Sequence, residues 1–425
     1  MKILFLHKNF PAQFRHLAAY LGHEGGHEIV FGSLKTEGAI PGVRRVFFEA
    51  RETDHRDPHP YVVNLQNAVT VGQGVHEIGQ TLKSEGFEPD LVYAHAGWGP
   101  GLFVKDVWPR ARLMSYFEWF YRAGGPDVEE PEAEGDERKE REEGEDGRRL
   151  RVRNAAMLVE YANSDWAVSP TRFQAGQFPH FMRSRMTVHH DGIDTRFFRP
   201  AQARPNLRDI GIEVPADAPI VTYATRGMEP YRGFPQAMRA MKAVLQERND
   251  VHAVVLGQDR VAYGRQLPKG ESWKARMLAE LDLEPFIEAG RLHFPGLMPY
   301  TKYLQVLQAS TAHIYLTVPF VLSWSLLESM SAGCLVVSSR TEPVEEVITH
   351  GHNGLLVDLQ DWQALSRTLL DALARPRDLY ELRRAARATV VGRYALADLL
   401  PRHLALMRLV AEGGEPGRDS RFAAA

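Results

Sequence analysis

The sequence predicts an α/β protein built from two doubly wound, Rossmann-like domains that face each other across a cleft. The chain has 425 residues, too many for one compact core and suited to two domains of about 150–200 residues each. Short β-like runs alternate with amphipathic helical stretches in the first half, which is typical of a parallel sheet covered on both faces. The same alternation restarts after residues 199–219, a proline-rich segment with little apolar periodicity that we interpret as a linker.

Each predicted element follows from a short apolar run or an amphipathic period. In the first half, strands are predicted at 2–6, 28–31, 44–48, 91–95 and 112–117, and helices at 11–21, 62–82 and 99–107. In the second half, strands are predicted at 220–224, 251–256 and 335–338 and around His293 and Ile314, and helices at 233–246, 274–281 and 325–332. These patterns give a first domain over 1–200 and a second over 201–395, with ligands expected at the carboxyl ends of the strands.

One segment departs from this alternation. Residues 127–146 carry twelve acidic and three basic side chains in twenty positions. Such a composition buries too little apolar surface to fold alone. We predict a solvated, mobile loop, and the alternative is a lid or an acceptor-recruiting loop beside the cleft.

Composition and motif searches exclude several classes of protein. The formal net charge of -3 gives no global field that would favour nucleic acid. The single cysteine, Cys334, excludes an internal disulfide, and its small apolar neighbours indicate a buried, inert thiol. No Asp-x-Asp pattern occurs, and no metal is expected. No apolar run reaches the roughly 18 residues of a membrane span, and a cytoplasmic protein is expected.

The turn after the predicted strand 220–224 carries a candidate anion site. Arg226 and Arg232 flank this turn, Gly227 lies between them, and the next helix begins at Gly233. Two guanidinium groups beside a helix N-terminus supply directed donors and positive potential for a diphosphate. The alternative is a pair of surface arginines that cap neighbouring groups.

A second candidate lies about a hundred residues further on. Residues 320–323 are predicted as a loop that leads into the helix 325–332, whose first amides can hold an anionic or polyhydroxyl ligand. Glu328 falls inside this otherwise apolar helix, where an unpaired carboxylate would be costly. We therefore expect Glu328 to face a partner or a polar ligand.

The order of these motifs resembles the retaining GT-B glycosyltransferases of family 4, the group 1 glycosyltransferases, most strongly between about 219 and 357. The resemblance implies that Glu328 is the second glutamate of the family's E-x7-E motif and holds the ribose of a nucleotide. It implies that Arg226 and Arg232 hold the donor diphosphate, and that Glu346 belongs to the family's Glu-Val-Ile segment. It also implies that a helix at 396–412 packs back on the first domain; the tail 413–425 is predicted to be disordered.

The chain departs from the family pattern at the first glutamate of E-x7-E, where Phe320 stands. That glutamate contacts the donor sugar in the family, so donor recognition is expected to differ here. The amides of Val321 and Leu322 and the hydroxyl of Ser323 are the predicted replacement contacts.

The first domain departs from the family pattern as well. Family members often have a histidine after the strand 112–117, where this chain has Glu118. Glu118 either orients the acceptor or accepts its proton, or else it caps a structural turn. His95 ends a predicted strand before a Gly-Trp-Gly turn, and both a substrate role and a structural role are open for it. Asn9 and Gln13 follow the first strand in place of the family's glycine-rich loop and are predicted to line the cleft.

The resemblance implies transfer of a hexose, with retention, from a UDP- or GDP-sugar to a glycan, lipid-linked or small-molecule acceptor, with no cofactor and no nucleic acid. Two alternatives are a catalytically silent nucleotide-sugar-binding subunit, which the departure at Phe320 favours, and a GT-B nucleotide-sugar epimerase. Because acceptors of the family are often lipid-linked, peripheral contact with the inner face of the membrane is a further expectation. Residues 148–153 and 181–186 are the basic and aromatic patches available for it, and a solvated face is the alternative.

Overall fold

A computed structural model describes residues 1–51, 58–122, 124–126, 145–264, 266–375, 378–419 and 422. The chain forms two compact units. Unit 1 comprises the described parts of Met1–Gly125, Gly135–Gly192 and Ala397–Ala425, and unit 2 comprises Pro126 and the described part of Ile193–Leu396. The predicted acidic loop at 127–146 lies outside the described residues, except that the backbone of 145–146 begins a helix.

Unit 1 contains a parallel sheet in the order β3-β2-β1-β4-β5-β6-β7. Its strands are β1 (Lys2–Leu6), β2 (Glu28–Ser33), β3 (Val43–Phe47), β4 (Leu91–His95), β5 (Arg112–Tyr116), β6 (Trp166–Ser169) and β7 (Met186–Val188). The apolar runs of β1 and β4 are buried along their length, as expected for a parallel sheet covered on both faces.

The helices of unit 1 cover both faces of this sheet with separate apolar clusters. They are α1 (Arg15–Glu24), α2 (Val63–Ser84), α3 (Val104–Val107), α4 (Glu145–Arg153), α5 (Ala155–Asn163), α6 (Arg172–Gly176) and α7 (His180–Arg183). The helix predicted at 99–107 is reduced to α3, because Gly97 and Gly99 have left-handed backbone angles (φ 91° and 97°) that end the preceding strand in a loop.

Unit 2 contains a second parallel sheet in the order β10-β9-β8-β11-β12-β13. Its strands are β8 (Ile220–Gly227), β9 (His252–Gln258), β10 (Leu292–Gly296), β11 (Ala312–Tyr315), β12 (Val336–Ser339) and β13 (Leu355–Val357). The pairing of β8 with β9 shifts register between Ala224 and Gly227, so the end of β8 bulges.

The helices of unit 2 are α8 (Phe234–Glu247), α9 (Trp273–Glu280), α10 (Glu284–Glu288), α11 (Tyr300–Ala309), α12 (Trp324–Ser331), α13 (Glu342–Glu345), α14 (Trp362–Ala374) and α15 (Tyr380–Arg393). The helix α12 stops just before Gly333, which has φ 83°, as its sequence predicted. Cys334 follows in the core, where burial raises the pKa of its thiol to about 12.

The segment predicted as a linker packs on unit 2. Ile193 and Phe198 are buried in one core cluster of this unit, and Leu207 and Ile212 in another. A 3₁₀ turn, Leu207–Ile210, forms within the segment. The unit boundary at 192/193 therefore precedes the predicted boundary at 200, because these apolar side chains are covered by the second sheet's helices and strands.

The C-terminal helix α16 (Leu396–Ala411) belongs to unit 1 from Ala397 onward. Its apolar face, including Leu406 and Met407, lies in the same core cluster as Phe5 of β1. The structure differs from the predicted disordered tail over 413–419 and at Phe422. Phe422 is buried in that cluster, and its carbonyl oxygen accepts a hydrogen bond from Thr187 Oγ1. Burial of one aromatic side chain anchors a segment whose polar composition had indicated disorder.

Candidate functional sites

Each sheet has one position where the strand order reverses, and the two positions define a candidate site in each unit. In unit 1 the reversal lies between β1 and β4, and in unit 2 it lies between β8 and β11. Connections leave to opposite sides at such a point, which opens a crevice at the carboxyl ends of the two strands. The predicted site residues are therefore expected around these two crevices.

In unit 1 the crevice is bordered by His7 after β1 and by His95 at the end of β4. The two imidazole rings lie edge to face with their centroids 4.6 Å apart, and both side chains are buried. The backbone amide of Asn9 donates to His7 Nδ1 over 2.7 Å. His7 was not predicted as a site residue, although its place directly after the first strand was a usable signal.

Glu118, two residues beyond β5, joins the same group. Its Oε2 lies 3.9 Å from His95 Nε2, and its Oε1 accepts a hydrogen bond from Gln13 Nε2 over 3.1 Å. Burial lowers the pKa of His95, and the negative charge of Glu118 opposes that shift. Four residues that the sequence singled out, Asn9, Gln13, His95 and Glu118, thus lie around one crevice.

The backbone around Glu118 is held independently of its carboxylate. Gln174, which is fully buried, donates from Nε2 to the carbonyl oxygen of Glu118 over 2.9 Å. Gln174 is itself tied to Thr171, which caps the N-terminus of α6. The carboxylate of Glu118 is partly exposed, and its two oxygens face Gln13 Nε2 and His95 Nε2.

In unit 2 the two predicted arginines lie in different environments. Arg226 lies in the bulge at the end of β8, and its side chain is exposed. Arg232 ends a 3₁₀ turn, Pro230–Arg232, and is buried with 5% exposure. Its Nη1 donates to Thr317 Oγ1 over 2.8 Å and to the carbonyl oxygen of Val321 over 3.1 Å. Arg232 therefore ties the end of β8 to the loop after β11.

The glycines of this turn permit a close approach of backbone segments. A side chain on Gly227 would place its Cβ 2.6 Å from the carbonyl oxygen of Arg260. Gly233 has φ 61° at the start of α8, and a Cβ there would overlap the side chain of Leu316. Both positions thus require glycine for the turn to reach the edge of the sheet.

Phe320 packs into an aromatic cluster beside Arg232. Its ring centroid lies 5.3 Å from that of Tyr231 and 5.3 Å from that of Tyr263. The guanidinium carbon of Arg232 lies 5.1 Å from the Tyr263 ring and 5.9 Å from the Phe320 ring. At the position of the family's acidic residue, this chain has an aromatic cover over an arginine.

A buried glutamate fixes one side of that cover. The carboxylate of Glu229 is fully buried and accepts hydrogen bonds from the amides of Ala262, Tyr263 and Gly264 at 2.9–3.2 Å. Glu229 was not identified from the sequence, since the amides that donate to its carboxylate lie more than thirty residues away in the chain. The loop that carries Tyr263 is therefore ordered by a side chain from the β8 turn.

The predicted donor-sugar loop is largely committed to protein contacts. The carbonyl oxygen of Val321 accepts from Arg232, and the side chain of Leu322 is buried in the core of unit 2. The amide of Ser323 donates to Tyr315 Oη over 2.9 Å, and its Oγ caps α12 by accepting from the amide of Ser325. The hydroxyl of Ser323 thus caps the helix N-terminus, and a contact of this loop with a donor sugar stays a prediction.

Glu328 and Glu346 lie on the α12 and α13 side of the second sheet. Glu328 is buried, with 4% exposure, one turn inside α12. Burial raises the pKa of Tyr303 on α11, and the negative charge of Glu328 raises it further, so the two groups are neighbours. Glu346 is half-exposed after α13, and its carbonyl oxygen accepts from Arg393 Nη2 over 3.2 Å.

The two best-defined cavities do not coincide with these crevices. Two surface cavities of about 540 and 690 Å³ in unit 1 are lined by other residues, among them Gln73 and Asp106 in one and Asp165 and Arg418 in the other. In the part of the chain that the structure describes, no three His, Cys, Asp or Glu side chains gather closely enough to hold a metal ion. Within the same residues, no helix combines the length and apolar character needed to cross a membrane.

Comparisons with known proteins agree with the two-unit architecture. The sequence matches the family model of the glycosyl transferase family 4 group over residues 25–198 and that of glycosyl transferases group 1 over residues 211–389. No curated protein matches the chain by sequence.

Solved structures of the same fold span nearly the whole chain. Sucrose-phosphate synthase from Thermosynechococcus elongatus has a TM-score of 0.70 at 15% identity, covering 97% of this chain and 100% of its own. A glycosyltransferase from Rickettsia africae has a TM-score of 0.68 at 15% identity, covering 97% and 99%. HepE from Anabaena in complex with UDP has a TM-score of 0.65 at 16% identity, covering 96% and 100%.

At these identities the structural neighbours establish the fold, and the two family models establish the lineage. The models divide the chain between them in the order of its two units, and the twelve residues 199–210 at the linker lie between the two matches. The chain therefore belongs to the group 1 glycosyltransferases and has their GT-B fold.

Proposed function

We propose that this glycosyltransferase transfers a hexose from a UDP- or GDP-sugar, with retention of anomeric configuration, to a glycan, lipid-linked or small-molecule acceptor. The observation that carries the proposal is the arginine pair at the strand-order reversal of unit 2. Arg226 and Arg232 lie on the turn that leads into α8, at the carboxyl end of β8.

The chemistry of this turn suits a diphosphate. Arg226 presents an exposed guanidinium, which can form two parallel hydrogen bonds to phosphate oxygens. The 14-residue helix α8 begins directly after the turn and directs the positive end of its dipole toward the same place. The complexes of HepE with UDP and with UDP-glucose support a nucleotide-diphosphate sugar as the donor.

The unit 1 crevice suits an acceptor hydroxyl. The lowered pKa of His95 leaves its imidazole neutral near pH 7, and Glu118 offers a half-exposed carboxylate beside it. Glu118 and His95 are proposed to orient the hydroxyl. In a retaining reaction of this family type, the leaving phosphate of the donor takes the proton, so neither residue has to be a strong base.

A catalytically silent nucleotide-sugar-binding subunit is the second candidate, and Phe320 favours it. The aromatic cover formed by Phe320, Tyr231 and Tyr263 replaces a carboxylate, and Arg232 already has two protein acceptors. This candidate predicts nucleotide binding without turnover.

A cytoplasmic enzyme in peripheral contact with the inner membrane face is the proposed setting. Phe181 on α7 is 58% exposed and is followed by Arg183 and Arg185. An aromatic side chain with adjacent cations suits an anionic lipid surface. Sedimentation with phosphatidylglycerol vesicles, which should fall for Phe181→Ala, tests this contact.

The first experiment is calorimetric and thermal-shift titration of the protein with UDP, GDP, ADP and TDP, followed by their common sugars. A ligand that binds only the folded state stabilises it by RT ln(1 + [L]/Kd) and raises the melting temperature accordingly, so the diphosphate with the largest effect at equal concentration identifies the donor class. Incubation with the preferred nucleotide sugar and an acceptor panel, read by NMR of the new anomeric proton, then separates transfer from silent binding. Absence of binding to every diphosphate contradicts the proposal.

A further inference from the structure

The loop after β4 presents an exposed aromatic ring next to the unit 1 crevice. Among the described residues, Trp98 is the tryptophan with a largely open ring: 45% of it is exposed, whereas the other tryptophans are buried or half-buried. It follows His95 by three residues. A large apolar ring left in water beside a crevice is informative, because folding alone would favour covering it.

The Trp98 loop is held in one conformation by the protein. Gly97 and Gly99, on either side of the ring, both adopt left-handed angles, and a Cβ on Gly99 would overlap the carbonyl oxygen of Ala68. The carboxylate of Glu160 on α5 is fully buried and accepts from the amides of Gly97 and Gly101, the latter over 2.9 Å. The ring is therefore placed before a ligand arrives, which lowers the entropic cost of binding.

Lys8 supplies a positive charge at the same place. Its ammonium lies 5.2 Å from the centroid of the Trp98 ring. Burial lowers the pKa of Lys8, and in the described part of the chain no carboxylate contributes an opposing shift. Among the described residues, Lys8 thus has an aromatic ring but no carboxylate to offset the desolvation of its charge.

Lys8 and Trp98 both lie next to residues that border the unit 1 crevice. Lys8 directly follows His7, whose ring contacts that of His95, and Trp98 directly follows Gly97. An aromatic ring offers its electron-rich surface to the C–H hydrogens on one side of a pyranose, while an ammonium attracts an anion on the same sugar. A ligand that satisfies both groups has a pyranose face for the indole ring and a negative charge for the ammonium.

We propose that Trp98 and Lys8 form a subsite for a pyranose ring that bears an anionic group, a carboxylate or a phosphate. That this subsite binds the acceptor rests on the glycosyl transfer proposed above. That it binds a sugar does not rest on that proposal. The anion lies against the Lys8 ammonium, the sugar ring lies against the indole, and Glu160 positions the loop without touching the ligand.

The test is titration of the full chain with three probes: methyl β-D-glucuronide, glucose 6-phosphate and methyl β-D-glucoside. Tryptophan fluorescence and calorimetry report binding. We expect at least one anionic probe to bind about tenfold more tightly than the neutral glucoside, and increasing salt to reduce that preference. A carboxylate preference or a phosphate preference supports the proposal and identifies the anion.

Variants separate the two contributions. Lys8→Met should abolish the anion preference and leave the glucoside affinity unchanged, whereas Trp98→Ala should weaken all three probes by about tenfold. Trp98→Phe should restore part of the loss. Lys274→Met is the matched control, since Lys274 is a half-buried lysine 4.6 Å from the ring of Phe294 in unit 2, and it should change nothing.

Two outcomes overturn the inference. One is equal binding of the anionic probes and the glucoside, or no binding of any probe, by a folded protein. The other is a loss of UDP affinity in Lys8→Met with sugar binding intact, which would assign the lysine to the donor. UDP titration of the same variants distinguishes failure of the sugar subsite from failure of the proposed function. If the sugar probes do not bind as expected but UDP binding is unchanged, the proposed function still stands.

Discussion

Replacement of the two arginines of the β8 turn by methionine should separate nucleotide binding from stability. Methionine keeps the apolar stem and removes the guanidinium, so packing under Tyr263 and Phe320 is retained. Arg226→Met removes an exposed group and should change the free energy of unfolding by no more than about 0.5 kcal/mol. Arg232→Met acts on a buried group with two protein acceptors.

The cost of Arg232→Met follows from what those acceptors lose. The carbonyl oxygen of Val321 loses its Arg232 donor, while Thr317 Oγ1 still donates to the carbonyl oxygen of Val318 over 2.8 Å. A buried acceptor left without its donor costs about 1–3 kcal/mol. Relief of the guanidinium's desolvation offsets part of this cost, so we expect a net loss at the lower end of that range, about 1 kcal/mol.

The effect on binding should be similar for both variants. One charge-assisted hydrogen bond to phosphate is worth about 1.5–3 kcal/mol, which corresponds to a ten- to hundredfold rise in the Kd for UDP. Urea unfolding followed by circular dichroism measures stability, and calorimetry at low salt measures the Kd. A destabilised Arg232→Met with unchanged UDP affinity would make Arg232 a structural tie between β8 and the β11 loop. Unchanged affinity in both variants would refute the diphosphate site.

Three further predictions follow from the buried carboxylates and from Phe320. In the wild type, three backbone amides donate to the carboxylate of Glu229, and Glu229→Gln turns an NH₂ group toward them. The variant should lose about 1–3 kcal/mol of stability and show faster hydrogen exchange at the amides of 262–264. Amides that stay protected in the variant would contradict this prediction. Burial raises the pKa of Glu160 from 4.5 to about 7, so its contribution to stability is full below pH 4.5 and is lost as the pH rises through 7. The wild type should therefore lose about 3 kcal/mol relative to Glu160→Gln between pH 4.5 and 8, and a pH-independent difference would exclude this. Phe320→Glu should alter donor preference or turnover, and if both stay constant Phe320 does not belong to the donor site.

The fold could be predicted because its signals are local. The strands β1 and β4 contain continuous apolar runs that are buried on both sides of a parallel sheet, and β8 begins with a buried stretch at 220–223, so the local sequence locates all three. The short strands β6 and β7 gave no comparable run and were missed. The helix predicted at 99–107 was too long because the loop at 97–101 is held by Glu160, about sixty residues later in the chain. A local sequence pattern cannot contain such a contact.

The site could be predicted in part for the same reason. His95 was identified because it ends a predicted strand, and Glu118 because it follows one at the position where family members often have a histidine; strand ends of a parallel sheet meet at one edge. The difference between Arg226 and Arg232 was not predictable, because it depends on a bulge in β8 and on the rings of Tyr231 and Tyr263. Sequence order places both arginines at the turn, but only tertiary packing decides which one water can reach.

The two units use a buried glutamate in the same way, and this bears on how acidic residues in such a chain should be interpreted. Glu160 holds the Trp98 loop beside the unit 1 crevice, and Glu229 holds the Tyr263 loop beside the unit 2 crevice. A carboxylate has two oxygens with several acceptor sites, so one side chain can bind amides from different points of a loop, which a hydroxyl or an amide side chain does less well. Both glutamates are fully buried, and such burial usually suggests a catalytic acid. Their acceptor sites are occupied by backbone amides, so each positions a loop, and the half-exposed Glu118 stays the carboxylate that we propose to orient the acceptor hydroxyl.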